Sequence, residues 1–239
     1  MILIIGLSLS ISKKLTEKIK FKSLGQYGKC NWIRSNGLIN YDTAIDWMKS
    51  HITKIQKNKS NDTVWLLEHK DIFTGGTSAK NEEIFTSQNI PIRRTGRGGQ
   101  WTWHGPGQRV VYIMINLNNR KPDVRWFINC LEQTIIDTLF HYSILGFRRK
   151  GLPGVWVKGI DSGEEKLNKI AAIGIRISRW TTFHGISINI NPSLSAFKDI
   201  VPCGVIDAGV TSMKELGIKL SLENFDKVYA KNFNSVFDK

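Results

Sequence analysis

Two long apolar runs with only three residues between them place the strongest constraint on the fold. Residues 170–177 (IAAIGIRI) and residues 181–190 (TTFHGISINI) are rich in β-branched side chains, and residues 178–180 (SRW) connect them. Strands that follow each other so closely can pair only as antiparallel neighbours. The sequence therefore predicts a β-hairpin over residues 170–190.

Further strands and helices follow from the spacing of apolar residues. Residues 64–69 (VWLLEH) predict a buried strand, and residues 109–116 (RVVYIMIN) predict a strand packed on both faces. Three amphipathic segments predict helices: residues 42–58 with Asp42 as the cap, a long helix introduced by Pro122 and Asp123, and a final segment capped by Ser221 that continues through Phe237.

The remaining segments read as connections within one domain. Residues 71–100 are rich in turn-forming glycines, and residues 158–168 form a polar, charged loop. The chain has 239 residues with 41% hydrophobic side chains, enough for a substantial core, and it shows no internal repeat or Pro/Ser-rich linker. Because strands and helices do not alternate regularly, we predict a single α+β domain.

The charge of the chain predicts an acidic partner without identifying it. The net charge is +14, of which residues 1–60 contribute +8. Nucleic acid, a membrane surface and an acidic protein all remain possible. Residues 1–11 are apolar but too few to span a bilayer, and their flanking lysines follow the run rather than precede it as in a secretory signal. We therefore expect a soluble, cytoplasmic protein without membrane association.

The three cysteines indicate a reducing compartment. Cys30, Cys130 and Cys203 are far apart in the sequence, without the close spacing of a zinc site, and their odd number does not suit a disulfide framework. Cys130 lies in the long amphipathic helix and is predicted to be buried. Cys30 lies in a polar stretch and is interpreted as an exposed thiol. Neither a metal nor a cofactor is expected.

Three segments differ from a generic core: residues 97–108 (RGGQWTWHGPGQ), residues 169–174 (KIAAIG) and residues 201–204 (VPCG). Glycines allow a backbone to approach a ligand closely, and His104 can donate a hydrogen bond or exchange a proton. Two tight turns around a structural His104 explain the first segment equally well. His184 is interpreted as a structural or pocket-lining residue.

Cys203 is a candidate nucleophile because it lies between Pro202 and Gly204, in a turn where a side chain can be exposed. A thiol needs a nearby cation or base to ionise at neutral pH. Lys169, which begins an otherwise apolar strand, is a candidate for that cation. A buried structural cysteine and an ordinary lysine at a strand end are the alternatives.

At these residues the sequence resembles the lipoyl(octanoyl) transferase family. The matching segments are RGGQWTWHGPGQ from Arg97, GVWV from Gly154, KIAAIGIRISRWTTFHGISININ from Lys169 and IVPCGV from Ile200. They occur in the family's order and cover roughly residues 65–215. Trp103, where tyrosine is common, and Arg109, where an aliphatic residue is usual, depart from the family pattern.

The resemblance implies a fold like the catalytic domain of biotin and lipoate protein ligases, with a mixed, largely antiparallel β-sheet flanked by helices. Residues 26–239 would form this single catalytic domain, and residues 1–25 an N-terminal extension. The implied donor is octanoyl acyl carrier protein. The implied acceptors are lipoyl domains of 2-oxoacid dehydrogenase E2 subunits and the glycine cleavage H protein.

The resemblance also implies roles for individual residues. Cys203 would carry the acyl group as a thioester, and Lys169 would lower the pKa of its thiol. The implied substrate-binding residues are Arg97, Gly98, Gly99, Gln100, Trp101, Thr102, Trp103, His104, Ala172, Ile173, Gly174, Gly185, Ile186 and Ser187.

Two other functions are weighed against this one. An ATP-using lipoate or biotin protein ligase on the same fold would form an adenylate and need no essential cysteine. A nucleic-acid-binding module would explain the positive charge and the eight tryptophans. However, Trp47, Trp126 and Trp156 fall in helix and strand patterns typical of packing, and no helix-turn-helix or zinc-finger pattern occurs. We therefore expect no nucleic-acid partner.

Overall fold

The computed structural model describes residues 19–85, 89–161, 164–201 and 208–237. The described strands in chain order are β1 (Phe21–Tyr27), β2 (Cys30–Ile39), β3 (Thr63–His69), β4 (Ile72–Gly75), β5 (Ile92–Arg94), β6 (Trp101–His104), β7 (Gln108–Met114), β8 (Gly146–Arg149), β9 (Leu152–Asp161), β10 (Glu164–Ser178), β11 (Thr181–Asn189) and β12 (Gly209–Val210). The described helices of more than five residues are α1 (Tyr41–Gln56), α2 (Val124–His141) and α3 (Leu222–Phe237).

The described strands form one large mixed sheet and one small sheet. The large sheet has the order β1-β2-β3-β7-β11-β10-β9-β8, and β12 pairs with β10. Its β2–β3 and β10–β12 pairs are parallel, and the other pairs are antiparallel. The small sheet has the order β5-β4-β6. The predicted α+β class with a largely antiparallel sheet is confirmed.

The hairpin predicted from the two apolar runs is confirmed as β10 and β11. Its register pairs Ala172 with Ser187 and Gly174 with Gly185. The two strands lie in the interior of the large sheet, with β7 on one side and β9 on the other. The buried strands predicted around residues 64–69 and 109–116 are β3 and β7.

The predicted loop over residues 158–168 is wrong. Residues up to Asp161 belong to β9, and residues from Glu164 onward belong to β10; the two strands pair from Glu164↔Asp161 inward. Backbone hydrogen bonds between neighbouring strands form whatever the polarity of the side chains, so a charged sequence can extend a hairpin beyond its buried part. Residues 71–100, predicted as turns, likewise contribute β4 and β5 to the small sheet.

The cap predicted for the first helix is also wrong. Asn40, not Asp42, precedes α1 in an extended conformation, and its side chain accepts a hydrogen bond from the Thr43 backbone N–H at 3.1 Å. Asp42 lies within the first turn, where its negative charge suits the positive end of the helix dipole. Both residues are good capping types, and periodicity alone did not distinguish positions two residues apart.

The other two helices begin as predicted. The Asp123 carboxylate accepts hydrogen bonds from the backbone N–H groups of Arg125 and Trp126 at the start of α2. The Ser221 hydroxyl accepts one from the Asn224 backbone N–H at the start of α3. Within the described residues, no helix has both the length and the apolar character needed to cross a membrane.

The two faces of the large sheet pack against different helices. Along β7, Val111 and Ile113 belong to a cluster with α2 and α3, whereas Val110 and Tyr112 belong to a second cluster with α1. We call the α2–α3 side the back face and the α1 side the front face. This alternation is the two-residue period of a strand that is buried on both sides.

Two cysteines and one unusual arginine lie in or beside the back face. Cys130 is buried in α2, as predicted, but Cys30 is also buried, at 1% exposure, so its prediction as an exposed thiol is wrong. Polar neighbours in sequence do not expose a residue whose strand position points into the core. Arg109, a departure from the family pattern, forms a buried ion pair with Asp226 of α3 (Nε to Oδ1, 2.9 Å).

Candidate active site

A cavity of about 290 Å³ lies between the large sheet, the start of α1 and the small sheet. Its lining includes four small residues on the two central strands, arranged as two cross-strand pairs. They are Ala172 and Gly174 on β10, and Ser187 and Gly185 opposite them on β11. We call these four residues the trough. Tyr112 of β7 adjoins it beside Gly185.

Two glycines of the trough are required because a neighbouring group approaches each of them closely. A Cβ atom on Gly185 would lie 2.0 Å from the Val111 carbonyl oxygen of the neighbouring strand. A Cβ atom on Gly174 would lie 2.9 Å from Cδ of Arg97, which crosses above it. Any larger side chain at Gly174 therefore displaces Arg97 or occupies the cavity.

The buried Arg97 guanidinium holds together the loop that covers the trough. Its Nη2 donates to the carbonyl oxygens of Thr74 (2.6 Å) and Gln100 (3.0 Å), and its Nη1 donates to that of Gly98 (3.0 Å). The Gly98 N–H donates to the Ile175 carbonyl oxygen at 2.9 Å, which fastens the loop to β10. A charged donor bound to several carbonyls makes a rigid cover for a cavity.

His104 lines the cavity as a neutral ring with both nitrogens engaged. The Gln108 side chain donates through Nε2 to Oδ1 of Asn189. The other atom of the same amide, Gln108 Oε1, therefore accepts from the His104 Nδ1–H at 2.7 Å. His104 Nε2 then accepts from the Thr74 hydroxyl at 3.3 Å. Burial lowers the pKa of His104 to about 3, with a further contribution from nearby His69. At neutral pH its hydrogen bonds are thus made within the protein.

Two more histidines beside the cavity are neutral for the same reason. His69 donates from Nδ1 to the Ile39 carbonyl (2.9 Å) and accepts at Nε2 from the Tyr112 hydroxyl (2.7 Å); burial lowers its pKa to about 4. Burial also lowers the pKa of His184 to about 3. His184 has a left-handed backbone (φ 60°), and its N–H points at Sδ of Met48 (3.1 Å).

Lys169 is also in the cavity lining, on β10, with only 6% of its surface exposed. Its Nζ donates to the Pro153 carbonyl oxygen at 3.1 Å and lies 4.7 Å from the ring centroid of Trp156. The backbone of Lys169 pairs with that of Val210 in β12, and its carbonyl accepts from the Thr211 N–H at 3.0 Å.

The predicted nucleophile, Cys203, lies outside the described residues. The last described residue before it is Val201, whose N–H donates to the Glu83 carbonyl at 2.9 Å. The first described residue after it is Ala208, and the next residue, Gly209, pairs with Asn168 of β10. Six residues, 202–207, therefore connect Val201 to Ala208, which lies two residues before Val210, the partner of Lys169.

Most of the predicted site residues share this one cavity. Its lining includes Arg97, Gly98, Gly99, Gln100, Trp101, Thr102, His104, Lys169, Ala172, Ile173, Gly174, Gly185, Ile186 and Ser187. Trp103 is not among them: its ring packs against Phe197 (5.5 Å between centroids). A residue between Thr102 and His104 in a strand faces the opposite side. That the lining residues bind substrate remains a prediction.

Sequence reasoning missed several lining residues. Tyr41, Tyr112, Leu152 and Pro153 line the cavity, but none belongs to a motif that marks a site. Tyr41 begins a helix, and Tyr112 lies in an apolar strand where any aromatic residue looks like core. Among the described residues, no group of three or more His, Cys, Asp or Glu side chains is arranged to hold a metal ion.

Comparison with known proteins identifies relatives over most of the chain. Residues 40–234 match the family described as lipoyl protein ligase A/B catalytic domain. An octanoyltransferase of Bartonella quintana (strain Toulouse) is 42% identical over 222 residues, which is 91% of this chain and 91% of that protein. An octanoyltransferase of Bradyrhizobium sp. (strain ORS 278) is 47% identical over 208 residues, 86% of each chain.

Solved structures agree on the fold at much lower identity. A bi-partite lipoate protein ligase from Thermoplasma acidophilum has a TM-score of 0.65 at 12% identity, covering 89% of this chain and 84% of that one. Lipoate-protein ligase A bound with ATP has a TM-score of 0.65 at 9% identity, covering 89% and 86%. The lipoate ligase-like fold expected from the sequence is confirmed.

Proposed function

Because the chain belongs to the octanoyltransferases of the lipoyl protein ligase A/B catalytic domain family, we propose that it transfers an octanoyl group from a thioester donor to a protein lysine. The donor is octanoyl acyl carrier protein, and the acceptor is a lipoyl-domain protein. The observation that carries this proposal is that two segments selected separately from the sequence, the glycine-rich loop and the Lys169 strand, line one cavity.

The cavity suits a short acyl chain. Its volume of about 290 Å³ is just below the range for small-molecule pockets, roughly 300–1,000 Å³. Its lining combines aliphatic and aromatic side chains with glycines. The seven carbons beyond the octanoyl carbonyl, at about 0.8 kcal/mol per buried CH₂, would contribute roughly 5 kcal/mol to binding.

The first half of the reaction loads the enzyme. The Cys203 thiolate attacks the carbonyl carbon of the donor thioester, and backbone N–H groups stabilise the oxyanion. The bond to the carrier sulfur breaks, and the carrier leaves as a thiol after taking a proton from the Lys169 ammonium. Acyl-Cys203 and neutral Lys169 remain.

The second half of the reaction transfers the acyl group from the enzyme to the acceptor. The amine of the acceptor lysine attacks the acyl-Cys203 carbonyl, so that a C–N bond forms and the C–S bond breaks. The proton that the amine loses passes to Lys169, and the Cys203 thiolate and Lys169 ammonium are regenerated. The sequence is a ping-pong transfer that consumes no nucleotide, since the donor thioester is already activated.

The position of Lys169 supports this role. Lys169 lines the cavity, its Nζ donates to the carbonyl of another lining residue, Pro153, and the chain that follows residues 202–207 is paired with its own strand. The 2-oxoacid dehydrogenase E2 subunits and the glycine cleavage H protein are the acceptors that we propose. The reducing cytoplasm is the compartment we propose, because a free nucleophilic thiol persists there.

The test is octanoylation of an isolated lipoyl domain by the purified protein, with octanoyl acyl carrier protein as donor and no ATP. We expect the mass of the lipoyl domain to increase by one octanoyl group, and Cys203→Ser to abolish that increase. Cys130→Ala, which removes a buried thiol from the back face, is the matched control and should retain transfer. Transfer that needs ATP and free octanoate would instead identify a ligase.

A further inference from the structure

Trp156 provides the surface on which the Lys169 side chain lies. The two residues are paired across β9 and β10, and Nζ of Lys169 is 4.7 Å from the centroid of the indole ring. Trp156 is 1% exposed, so water screens this contact little. An ammonium over the face of an indole is attracted by the negative potential of the ring, most strongly where both are desolvated.

The surrounding backbone places the lysine stem beside the ring. Gly154 has a φ of 124°, and a Cβ atom there would lie 2.4 Å from the Ala171 carbonyl oxygen and 3.2 Å from Cε of Lys169. The pairing of β9 with β10 shifts register between Lys169 and Ala171. A bulge of this kind re-aims a side chain.

Two further contacts hold the Trp156 ring in place: a hydrogen bond from its indole N–H and a second cation near its face. Its Nε1 donates to the Leu152 carbonyl oxygen at 3.3 Å, and Cζ of Arg149 lies 5.2 Å from its centroid. The Pro153 carbonyl, one residue further along β9, accepts from Lys169 Nζ. The short stretch from Arg149 to Trp156 thus orients the ring and supplies an acceptor for the ammonium.

We propose that Trp156 is a positioning residue for the transfer, which holds the Lys169 ammonium at the cavity through its ring face. The proposal rests on the proposed function, in which Lys169 acts on the Cys203 thiol. A lysine side chain has a large rotamer entropy, and its charge affects a thiol only when it stays close. Trp156 and the Pro153 carbonyl restrict it to one place. Trp156 touches no substrate in this account and acts only through Lys169.

The experiment measures the rate of Cys203 alkylation by iodoacetamide against pH, read from the mass of the Cys203 peptide. Trp156→Leu should slow alkylation at pH 7 roughly fivefold and move the midpoint of the pH profile upward, as expected for the loss of a desolvated cation–π contact. Trp32→Leu removes an equally buried indole from the back face and should leave the profile unchanged. A profile that moves equally in both variants would assign Trp156 a general packing role and overturn the proposal.

A double-mutant comparison separates this proposal from the one on which it rests. If Trp156 acts through Lys169, Trp156→Leu has no further effect on alkylation in a Lys169→Met background. Equal effects of Trp156→Leu in both backgrounds would overturn the positioning role and leave the role of Lys169 standing. A profile unchanged by Lys169→Met itself would refute the role of Lys169 and therefore both proposals.

Fluorinated tryptophan gives a second measurement that preserves the shape of the core. Each added fluorine weakens the negative potential of the ring face without removing the ring. Alkylation of Cys203 should slow stepwise with the number of fluorines in the wild-type chain. It should not do so in a Trp156→Phe variant, where the ring at this position carries no fluorine. The same stepwise fall in Trp156→Phe would contradict the proposal.

Discussion

The back face of the large sheet and the trough on its front face are built from the same strands but are filled in opposite ways. On the back face, α2 and α3 cover an apolar cluster whose aromatic rings are in contact, such as Phe233 and Phe237 at 4.1 Å between centroids. On the front face, the trough residues carry side chains no larger than that of serine, and a cavity remains above them.

The difference lies in the side chains that alternate along each strand, because the backbone is common to both faces. On β11, Ile188 belongs to the back cluster and is not in the cavity lining, while Gly185 and Ser187 form half of the trough. Close packing stabilises one face, and small residues preserve space on the other. Substitutions on the two faces should therefore separate stability from activity.

The largest effect is expected for Phe233→Ala on the back face. Phe233 is almost fully buried against Trp32 (5.3 Å between centroids) and Phe237. Removal of the ring should lower the free energy of unfolding by about 3–5 kcal/mol. Urea denaturation measures this loss. The folded fraction should keep its kcat/KM, and a parallel loss of kcat/KM would show that the two faces are not separable.

Gly174→Val on the front face should have the reverse outcome. The new side chain enters the cavity and pushes against Cδ of Arg97, so that the covering loop moves. A displacement of about 1 Å in such a site lowers kcat/KM roughly a hundredfold. The assay is octanoyl transfer to a lipoyl domain under steady-state conditions.

Ile188→Val is the matched control for Gly174→Val, since it changes a residue of the neighbouring strand on the back face. It should cost about 1 kcal/mol of unfolding free energy and leave kcat/KM unchanged. If Gly174→Val transfers octanoyl as well as Ile188→Val, the trough does not hold the acyl chain.

Apart from the Ile188→Val control, the smallest effect concerns the neutral histidines at the front face. The pKa of His69 is about 4 in the folded protein and near 6.5 in the unfolded chain. Between pH 4 and pH 6.5 the unfolded chain therefore binds more protons at this residue than the folded protein does. The stability that neutral His69 contributes is complete above pH 6.5 and is lost as the pH falls toward 4. From pH 6.5 to pH 5 this loss is about 2 kcal/mol.

His69→Gln isolates this contribution, because glutamine does not titrate. The unfolding free energy of His69→Gln should fall less between pH 6.5 and pH 5 than that of the wild type, by about 2 kcal/mol. Urea denaturation at the two pH values gives both slopes. Identical slopes would mean that the pKa of His69 in the folded protein is not lowered from its value in the unfolded chain.

Sequence patterns predicted those parts of the fold in which the spacing of apolar residues along the chain follows their burial. The hairpin of β10 and β11, the strands β3 and β7 and the helices α2 and α3 are of this kind. The extension of β9 and β10 beyond residue 158 was missed because it depends on backbone pairing. The small sheet was missed because short strands between glycines carry too few side chains to show a period.

The candidate site divides in the same way. The glycine-rich loop and the Lys169 strand could be selected from unusual residue types. Tyr41, Tyr112 and the Trp156 contact with Lys169 could not, because an aromatic residue in an apolar strand or helix looks like core until the tertiary contacts are known. Trp103 is implied by the resemblance as part of the segment from Arg97 to His104, although it is not in the cavity lining.

The central claim is that the octanoyl group is held on Cys203 before it reaches the acceptor. The most direct measurement mixes the purified protein with octanoyl acyl carrier protein alone, without acceptor or ATP, and maps the mass of its peptides. We predict one octanoyl group on the peptide that contains Cys203, absent from Cys203→Ala and released when a lipoyl domain is added. An octanoyl group that persists in Cys203→Ala, or full transfer without any adduct, would contradict the account.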